Sequence, residues 1–286
     1  MPVVMAGGPV AEAVLAGVRT GVAELASSGR RVGLGTILAG DDPASEGYIR
    51  MKRAKAEELG IASSHVSLPA TATQQQLVDA VRRFNDDPAV DAMLVQHPVP
   101  PGLDYDAALA EMDPDKDVDG LHPCNMGRVA LGLEGPTPCT PAGIEAILQH
   151  YGVPVEGRDV VILGRGVTLG RPLALLLSQK RPGANAAVTV VHSSVDDWTT
   201  HTRRADVVVA AVGVPGILRA EHVRPGAAVV GGGVRYEGRK LLPDVDESVA
   251  DVAGWITPRV GGVGPTTVAM LFRNALRAAQ RRNGRH

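Results

Sequence analysis

Ser45, Tyr48 and Lys52 stand three and four residues apart in the stretch SEGYIRMKRAK, residues 45–55. In a helix those offsets put side chains on one face, and Asp42 followed by Pro43 supplies the cap and first-turn signals that start a helix there. A hydroxyl, an aromatic ring and an amine on one face can stack a flat ligand and move a proton. The same spacing also fits a solvated face on which the lysine stem covers the ring. Two other stretches carry comparable chemistry. LVQHPVP, residues 94–100, ends an apolar run on Gln96, and DPDKDVDGLHP, residues 113–123, crowds four carboxylates into a loop. Taken singly, a strand-end glutamine is often a capping group, and an Asp-rich loop is usually a turn.

The second half offers a phosphate-binding pattern. VVILGRGVTLGRP, residues 160–172, runs from a β-rich stretch through Gly164, Gly166 and Gly170 into an apolar helix-like stretch. Free amides and a helix dipole at such a junction attract phosphate. The glycine spacing is one residue longer than the dinucleotide fingerprint, so a bare tight turn fits the pattern as well. Arg165 sits within this turn, and the next β-rich stretch ends at His192-Ser193 with no acidic residue before Asp196. An acid there would grip the ribose hydroxyls of NAD. A cation and a hydroxyl suit a ribose phosphate, which favours NADP.

These groups must be held by ordered elements, and the apolar patterning supplies them. Val10, Val14, Leu15, Val18, Val22 and Leu25 mark a helical face. RVGLGTILAG, SSHVSLP and VDAMLVQHP read as strands, with TQQQLVDAVRRFNDD as a helix between the last two. After the Pro- and Gly-rich GLEGPTPCTPAG the alternation resumes. RDVVILGRG, AAVTVVHSS, ADVVVAAVG and GAAVVGGG are strands, and TPAGIEAILQHYG and LGRPLALLLSQK are helices. Such alternation implies α/β architecture with parallel sheets, doubly wound and Rossmann-like in the C-terminal half. The break at GLEGPTPCTPAG divides the chain into two domains near residue 138, and the pattern does not say which of them holds the last helix. The last helix, PTTVAMLFRNALRAAQRR, has an apolar face at Val268, Leu271, Phe272 and Leu276, and the basic tail RRNGRH reads as a frayed end.

Bulk properties narrow the partners. With 286 residues, 29 basic and 31 acidic side chains and a formal net charge of −2, no global field draws nucleic acid or an anionic membrane. No apolar run reaches bilayer-spanning length. Cys124 and Cys139 lack metal-ligand spacing and are too few for a disulfide framework, which points to a reducing cytoplasm. No metal is called for.

In this order, GDDPASEGYIRMK, LVQHPVP, PDKDVDG, PCTPAG, GRGVTLGRP and GGVGPTT resemble the bifunctional methylenetetrahydrofolate dehydrogenase/cyclohydrolase family over nearly the whole chain. The resemblance implies NADP-dependent oxidation of 5,10-methylenetetrahydrofolate to the methenyl cation and its hydrolysis to 10-formyltetrahydrofolate. It implies that Tyr48 stacks on the aminobenzoyl part of the folate, that Lys52 is essential to the cyclohydrolase step, that Gln96 hydrogen-bonds and tunes that lysine, and that Asp119 holds the pterin ring. Thr140, Gly164, Arg165, Gly166, Ser193, Val234, Gly264 and Thr267 fall where the family contacts NADP. The final helix is expected to return to the N-terminal domain, so that residues 1–138 with 268–286 form one domain and residues 139–267 the other, with a cleft between them, and the protein is expected to be a homodimer paired through the nucleotide domain.

The chain also departs from the family pattern. Gly231 and Gly232 replace an Asp and its neighbour, Arg259-Val260 replaces Val-Pro, His97 replaces a Leu, and Gly166 replaces a Ser. These changes keep a second reading open, a paralogue with cyclohydrolase activity only or a non-catalytic binding protein. Retention of Tyr48, Lys52, Gln96 and Asp119 argues against it.

Overall fold

The computed structural model describes residues 1–238 and 240–284. In chain order its elements are β1 (Val3–Val4), α1 (Gly7–Ser27), β2 (Gly33–Ala39), α2 (Pro43–Glu58), β3 (Ala62–Leu68), α3 (Gln74–Asp86), β4 (Ala92–Val95), α4 (Tyr105–Ala110), α5 (Pro123–Leu131) and α6 (Cys139–His150). There follow β5 (Asp159–Leu163), α7 (Gly170–Leu177), β6 (Ala187–Val191), α8 (Thr199–Thr202), β7 (Val207–Ala210), β8 (Ala228–Gly231), β9 (Val234–Glu237), β10 (Lys240–Pro243), β11 (Trp255–Ile256) and α9 (Val263–Asn283). Short 3₁₀ turns lie at Ala220–His222 and Glu247–Asp251. The chain forms two units, one of residues 13–128, 134–137 and 271–286, the other of residues 1–12, 129–133 and 138–270.

In the first unit, β3, β2 and β4 form a parallel sheet in that order. All seven residues of β2 are buried, as expected of a central parallel strand with helices on its faces. Leu77, Val81 and Phe84 of α3 recur at helical spacing and pack with Ile37, Val90, Met93 and Val95. Burying side chains of this size contributes roughly 1.5–3 kcal/mol each. Thr73 and Gln76 close a reciprocal capping box at the start of α3. Asp91 binds the other end of this unit together: its carboxylate accepts from Arg30 at 2.7 Å, Arg282 at 3.0 Å and the Gly33 amide at 3.0 Å. The Arg282 contact explains why α9 persists to Asn283 where the sequence suggested fraying; residues 285 and 286 of that tail lie outside the described residues.

In the second unit a parallel sheet runs in the order β1-β11-β8-β7-β5-β6. β5 leads through α7 to β6 on one side, and the chain then crosses to β7 on the other. This reversal is the topological switch point of a doubly wound fold, where ligands sit beyond the carboxyl ends of the strands. Val160, Ile162, Val207, Val209 and Val230 face one apolar layer with α6 and α7, and Val161, Leu163, Val208 and Val229 face the other. Both faces are covered, which is why these strands read as continuous Val and Ala runs.

Two features depart from the reading in sequence order. Residues 1–12 group with the nucleotide unit because β1 pairs with β11 and extends its sheet. The antiparallel hairpin β9–β10 follows β8 directly, in a stretch whose charges and glycines masked its strands. Helix α9 passes from the second unit into the first after Met270. Among the described residues no helix is long and apolar enough to cross a membrane, and neither cysteine forms a disulfide.

Candidate active site

Helix α2 begins as its sequence dictates. The Asp42 carboxylate accepts from the Ser45 amide at 2.8 Å and Pro43 occupies the first turn. A hydrogen bond from the Ser45 hydroxyl, and then the one from its amide, holds the Asp42 carboxyl below its ordinary range. Ile49 and Ala56 bury the inner face of α2, which lies against β2 and β3. Tyr48 and Lys52 therefore project one turn apart on the more open side, with Tyr48 48% exposed. Ser45 does not join them: it is buried, 3% exposed, and serves the helix start instead of the ligand face the spacing suggested.

Lys52 Nζ donates to Gln96 Oε1 at 3.1 Å. The Gln96 amide nitrogen donates to the His97 carbonyl at 2.7 Å, so this second bond decides which end of the amide faces the lysine. Gln96 itself continues the sheet, its backbone amide reaching the Ile37 carbonyl at 2.8 Å. The strand end thus aims the glutamine, and the glutamine aims the amine.

The Asp-rich loop separates into members that hold the loop together and one that the loop presents. Lys116, 3% exposed, donates to the carbonyls of Phe84, Asn85 and Asp87 at 2.7, 2.7 and 3.0 Å. A cation at the end of α3 meets carbonyls that the helix cannot satisfy. Asp117 is buried and accepts from the Gly120 and His122 amides and from Asn125 Nδ2 at 2.9, 2.8 and 2.9 Å. These clamps run residues 116–118 alongside β4, with Met93 N–H on the Lys116 carbonyl and Val118 N–H on the Met93 carbonyl. Asp119 is what the clamped loop presents. Burial raises its carboxyl above the ordinary range, and the Lys52 charge opposes that rise. Lys52, Gln96 and Asp119 therefore share one electrostatic environment.

Tyr105 in α4 belongs to the same group and was not legible in the sequence. Burial first, and then the charges of Asp119, Asp117 and Asp106, push its phenol above the ordinary range. His97 meets its ring edge-on, with centroids 5.1 Å apart. A lone tyrosine in PPGLDYDAAL offers no spacing or motif that would have marked it.

The nucleotide unit builds its candidate site from backbone. Gly164 follows β5 with φ of +124°, and a Cβ on it would lie 2.3 Å from the Ala211 carbonyl oxygen. Only glycine fits this close approach of the β5 and β7 ends. A Cβ on Gly170 would likewise lie 2.2 Å from the Gly164 oxygen, so the second glycine lets α7 start directly above the turn. Arg165 and Gly166 are exposed at the turn, and Gly166 has open space around its Cα, so the Ser-to-Gly departure there removes no packing. Ser193 is exposed beyond β6. Val234 opens β9 with its carbonyl oxygen 3.9 Å from where a Gly213 Cβ would stand. Thr267 donates to Thr140 Oγ1 at 3.2 Å, joining the starts of α9 and α6 one turn beyond Gly264. These residues fit a dinucleotide carrying an extra phosphate: backbone approach at the switch point, an unshielded guanidinium, and no carboxylate at the end of β6.

Arg259, Gly231 and Gly232 have structural accounts, and nothing in the structure explains Val260. Arg259 donates through Nε and Nη2 to the Leu241 carbonyl at 3.2 and 2.6 Å, bracing the hairpin. The Gly231 amide donates to Thr257 Oγ1 at 2.8 Å. A Cβ at Gly232 would stand 2.7 Å from Leu169 Cδ2.

Comparison with known proteins matches residues 5–119 to the catalytic domain of tetrahydrofolate dehydrogenase/cyclohydrolase and residues 138–283 to its NAD(P)-binding domain. The chain is 66% identical over 275 residues to the bifunctional protein FolD 1 of Salinispora tropica, covering 96% of this chain and 90% of that protein. The crystal structure of the Campylobacter jejuni bifunctional FolD superimposes with a TM-score of 0.94 at 37% identity, covering 99% of this chain and 100% of that one. The Trypanosoma brucei FolD, solved with NADP cofactor and inhibitor, superimposes with a TM-score of 0.91 at 39% identity over 99% of this chain and 98% of that one. With both domain models matched in order and relatives this similar over nearly full length, the chain belongs to the tetrahydrofolate dehydrogenase/cyclohydrolase family.

Proposed function

We propose that Tyr48, Lys52, Gln96 and Asp119 form the folate site of a bifunctional enzyme, and that Thr140, Gly164, Arg165, Gly166, Ser193, Val234, Gly264 and Thr267 hold its NADP. The enzyme oxidises 5,10-methylenetetrahydrofolate to 5,10-methenyltetrahydrofolate with NADP and hydrolyses the product to 10-formyltetrahydrofolate. The observation that carries the reading is the 3.1 Å contact of Lys52 with Gln96, beside the shielded carboxyl of Asp119.

NADP, when bound, accepts the hydride that leaves the methylene bridge. The chain's own groups do the rest. Tyr48 supplies a flat, partly exposed face for the aminobenzoyl ring. Asp119 accepts N–H groups of the pterin in charge-assisted bonds. Lys52, oriented by Gln96, carries protons as water adds to the methenyl cation and the five-membered ring opens. A guanidinium could not exchange protons in this role. On the nucleotide side the Gly164 turn admits the diphosphate against backbone amides, and Arg165 pairs with the ribose phosphate.

An absorbance assay tests this directly, following methenyltetrahydrofolate formation with NADP and with NAD and then its decay in the same cuvette. Reduction of NADP followed by enzyme-dependent decay is expected. Decay without cofactor reduction would mean that Gly231, Gly232, Arg259 and Val260 have removed the hydride step and left a cyclohydrolase. The resemblance also supports a cytoplasmic homodimer, for which sedimentation at micromolar concentration should return twice the chain mass.

A further inference from the structure

Asp244 follows β10 and is completely buried. One of its oxygens, Oδ2, accepts from the backbone amides of Val212 and Gly213 at 2.7 and 3.0 Å. The other, Oδ1, is buried with no hydrogen-bond partner among the described residues. Burial raises this carboxyl above its ordinary range, the opposing amides notwithstanding. Its backbone is knitted in as well: its amide reaches the Gly233 carbonyl at 3.2 Å and its carbonyl accepts from Leu218 at 3.1 Å. A Cβ on Gly233 would stand 1.9 Å from Oδ2, so the third glycine of the Gly231–Gly233 run exists to admit this carboxyl. The turn that Asp244 holds is the one that presses on the cofactor loop, because Ala211 and Val212 are the atoms a Gly164 Cβ would strike, at 2.3 and 3.3 Å.

A buried carboxyl with an unsatisfied oxygen is a cost to folding, and a fold that retains it at a ligand-binding edge keeps it for geometry. We infer that Asp244 is a positioning residue for the dehydrogenase reaction, fixing the Val212–Gly213 turn against Gly164 so that the loop is pre-shaped for NADP; this rests on the nucleotide unit holding NADP as proposed above. It touches no substrate and acts only through the turn. The cyclohydrolase groups Lys52, Gln96 and Asp119 all lie in the other unit and provide an internal control.

The experiment uses the full-length protein and the variants Asp244→Ala, Asp244→Ser and Asp244→Asn. NADP affinity is read by fluorescence titration, alongside KM for NADP, cyclohydrolase turnover and Tm. Both truncated variants should bind NADP at least tenfold more weakly with cyclohydrolase turnover within twofold of the parent. Asp244→Asn should recover affinity to within threefold, because one amide oxygen can accept both N–H groups. NADP affinity within threefold of the parent in a folded Ala or Ser variant overturns the inference. So does a proportional loss of both activities, which would mark general loosening. Should Asp244→Ala fail to fold, the Ser and Asn variants decide alone. Failure of the parent itself to bind NADP would sink the cofactor reading first, and this one with it.

Discussion

The proposed folate site and the proposed cofactor site are made of different material. Around Lys52 the work is done by side chains whose positions follow from a helix face, a strand end and a clamped loop. Around Gly164 it is done by backbone, and the informative residues are those that lack a side chain. The first kind of site is chemically specific and tolerates little exchange of residue type. The second is geometrically specific, and its tolerance depends on space. Gly166 has room for a side chain because nothing crowds it, whereas Gly164 and Gly233 are confined by neighbouring atoms.

Substitutions can break this contrast or sharpen it. Lys52→Met should have the largest effect, a loss of cyclohydrolase turnover of roughly 10²–10⁴-fold, the usual contribution of a positioned proton carrier. Its NADP affinity and far-ultraviolet spectrum should match the parent; unchanged methenyl decay would remove Lys52 from the mechanism. Arg165→Ala should weaken NADP by about tenfold or more, in keeping with the loss of one charge-assisted contact, and should affect NAD much less. Equal weakening of both in parallel titrations would take Arg165 away from the ribose phosphate.

Gly164→Ala tests the backbone side. At φ of +124° with a carbonyl 2.3 Å away, even a methyl group should lower stability by about 1–3 kcal/mol and impair NADP binding. Urea unfolding of the variant checks the first, titration the second. If both were unchanged, the turn would be more pliable than its geometry implies.

The smallest effect is a change in stability at Asp119. Its carboxyl is raised by burial from the ordinary 3.8, so between that value and the raised one the folded state holds more protons than the unfolded, and stability falls as pH rises through this window. Asp119→Asn, which does not ionise, should therefore melt a few degrees higher than the parent at pH 7 while losing folate-dependent activity. The gain should vanish below the ordinary carboxylate pKa, where both chains carry a neutral group. A variant that melts lower at pH 7 would show that the Lys52 charge outweighs burial.

Part of this was legible before any coordinates. The start of α2 followed from Asp42 and Pro43, and the 48/52 spacing placed ring and amine together, because helix periodicity is local. The strands of the nucleotide unit were legible for a similar reason: doubly buried parallel strands need unbroken apolar runs. Ser45 was misjudged because periodicity gives an angle around the helix axis, and packing against β2 and β3 decided how much of that angle was covered. The division of labour in PDKDVDG was likewise hidden, since Asp117 and Asp119 differ only in what surrounds them.

The sequence by itself determined the α/β alternation, the family and the side chains proposed to carry the chemistry, because these rest on residue type and short-range spacing. Tertiary structure alone decided that Tyr105 stands with Asp119, that residues 1–12 extend the nucleotide sheet, and that Asp244 reaches back to the end of β7. Those depend on contacts between residues far apart in the chain, where burial and the position of a neighbour's backbone, not residue type, set what a side chain does.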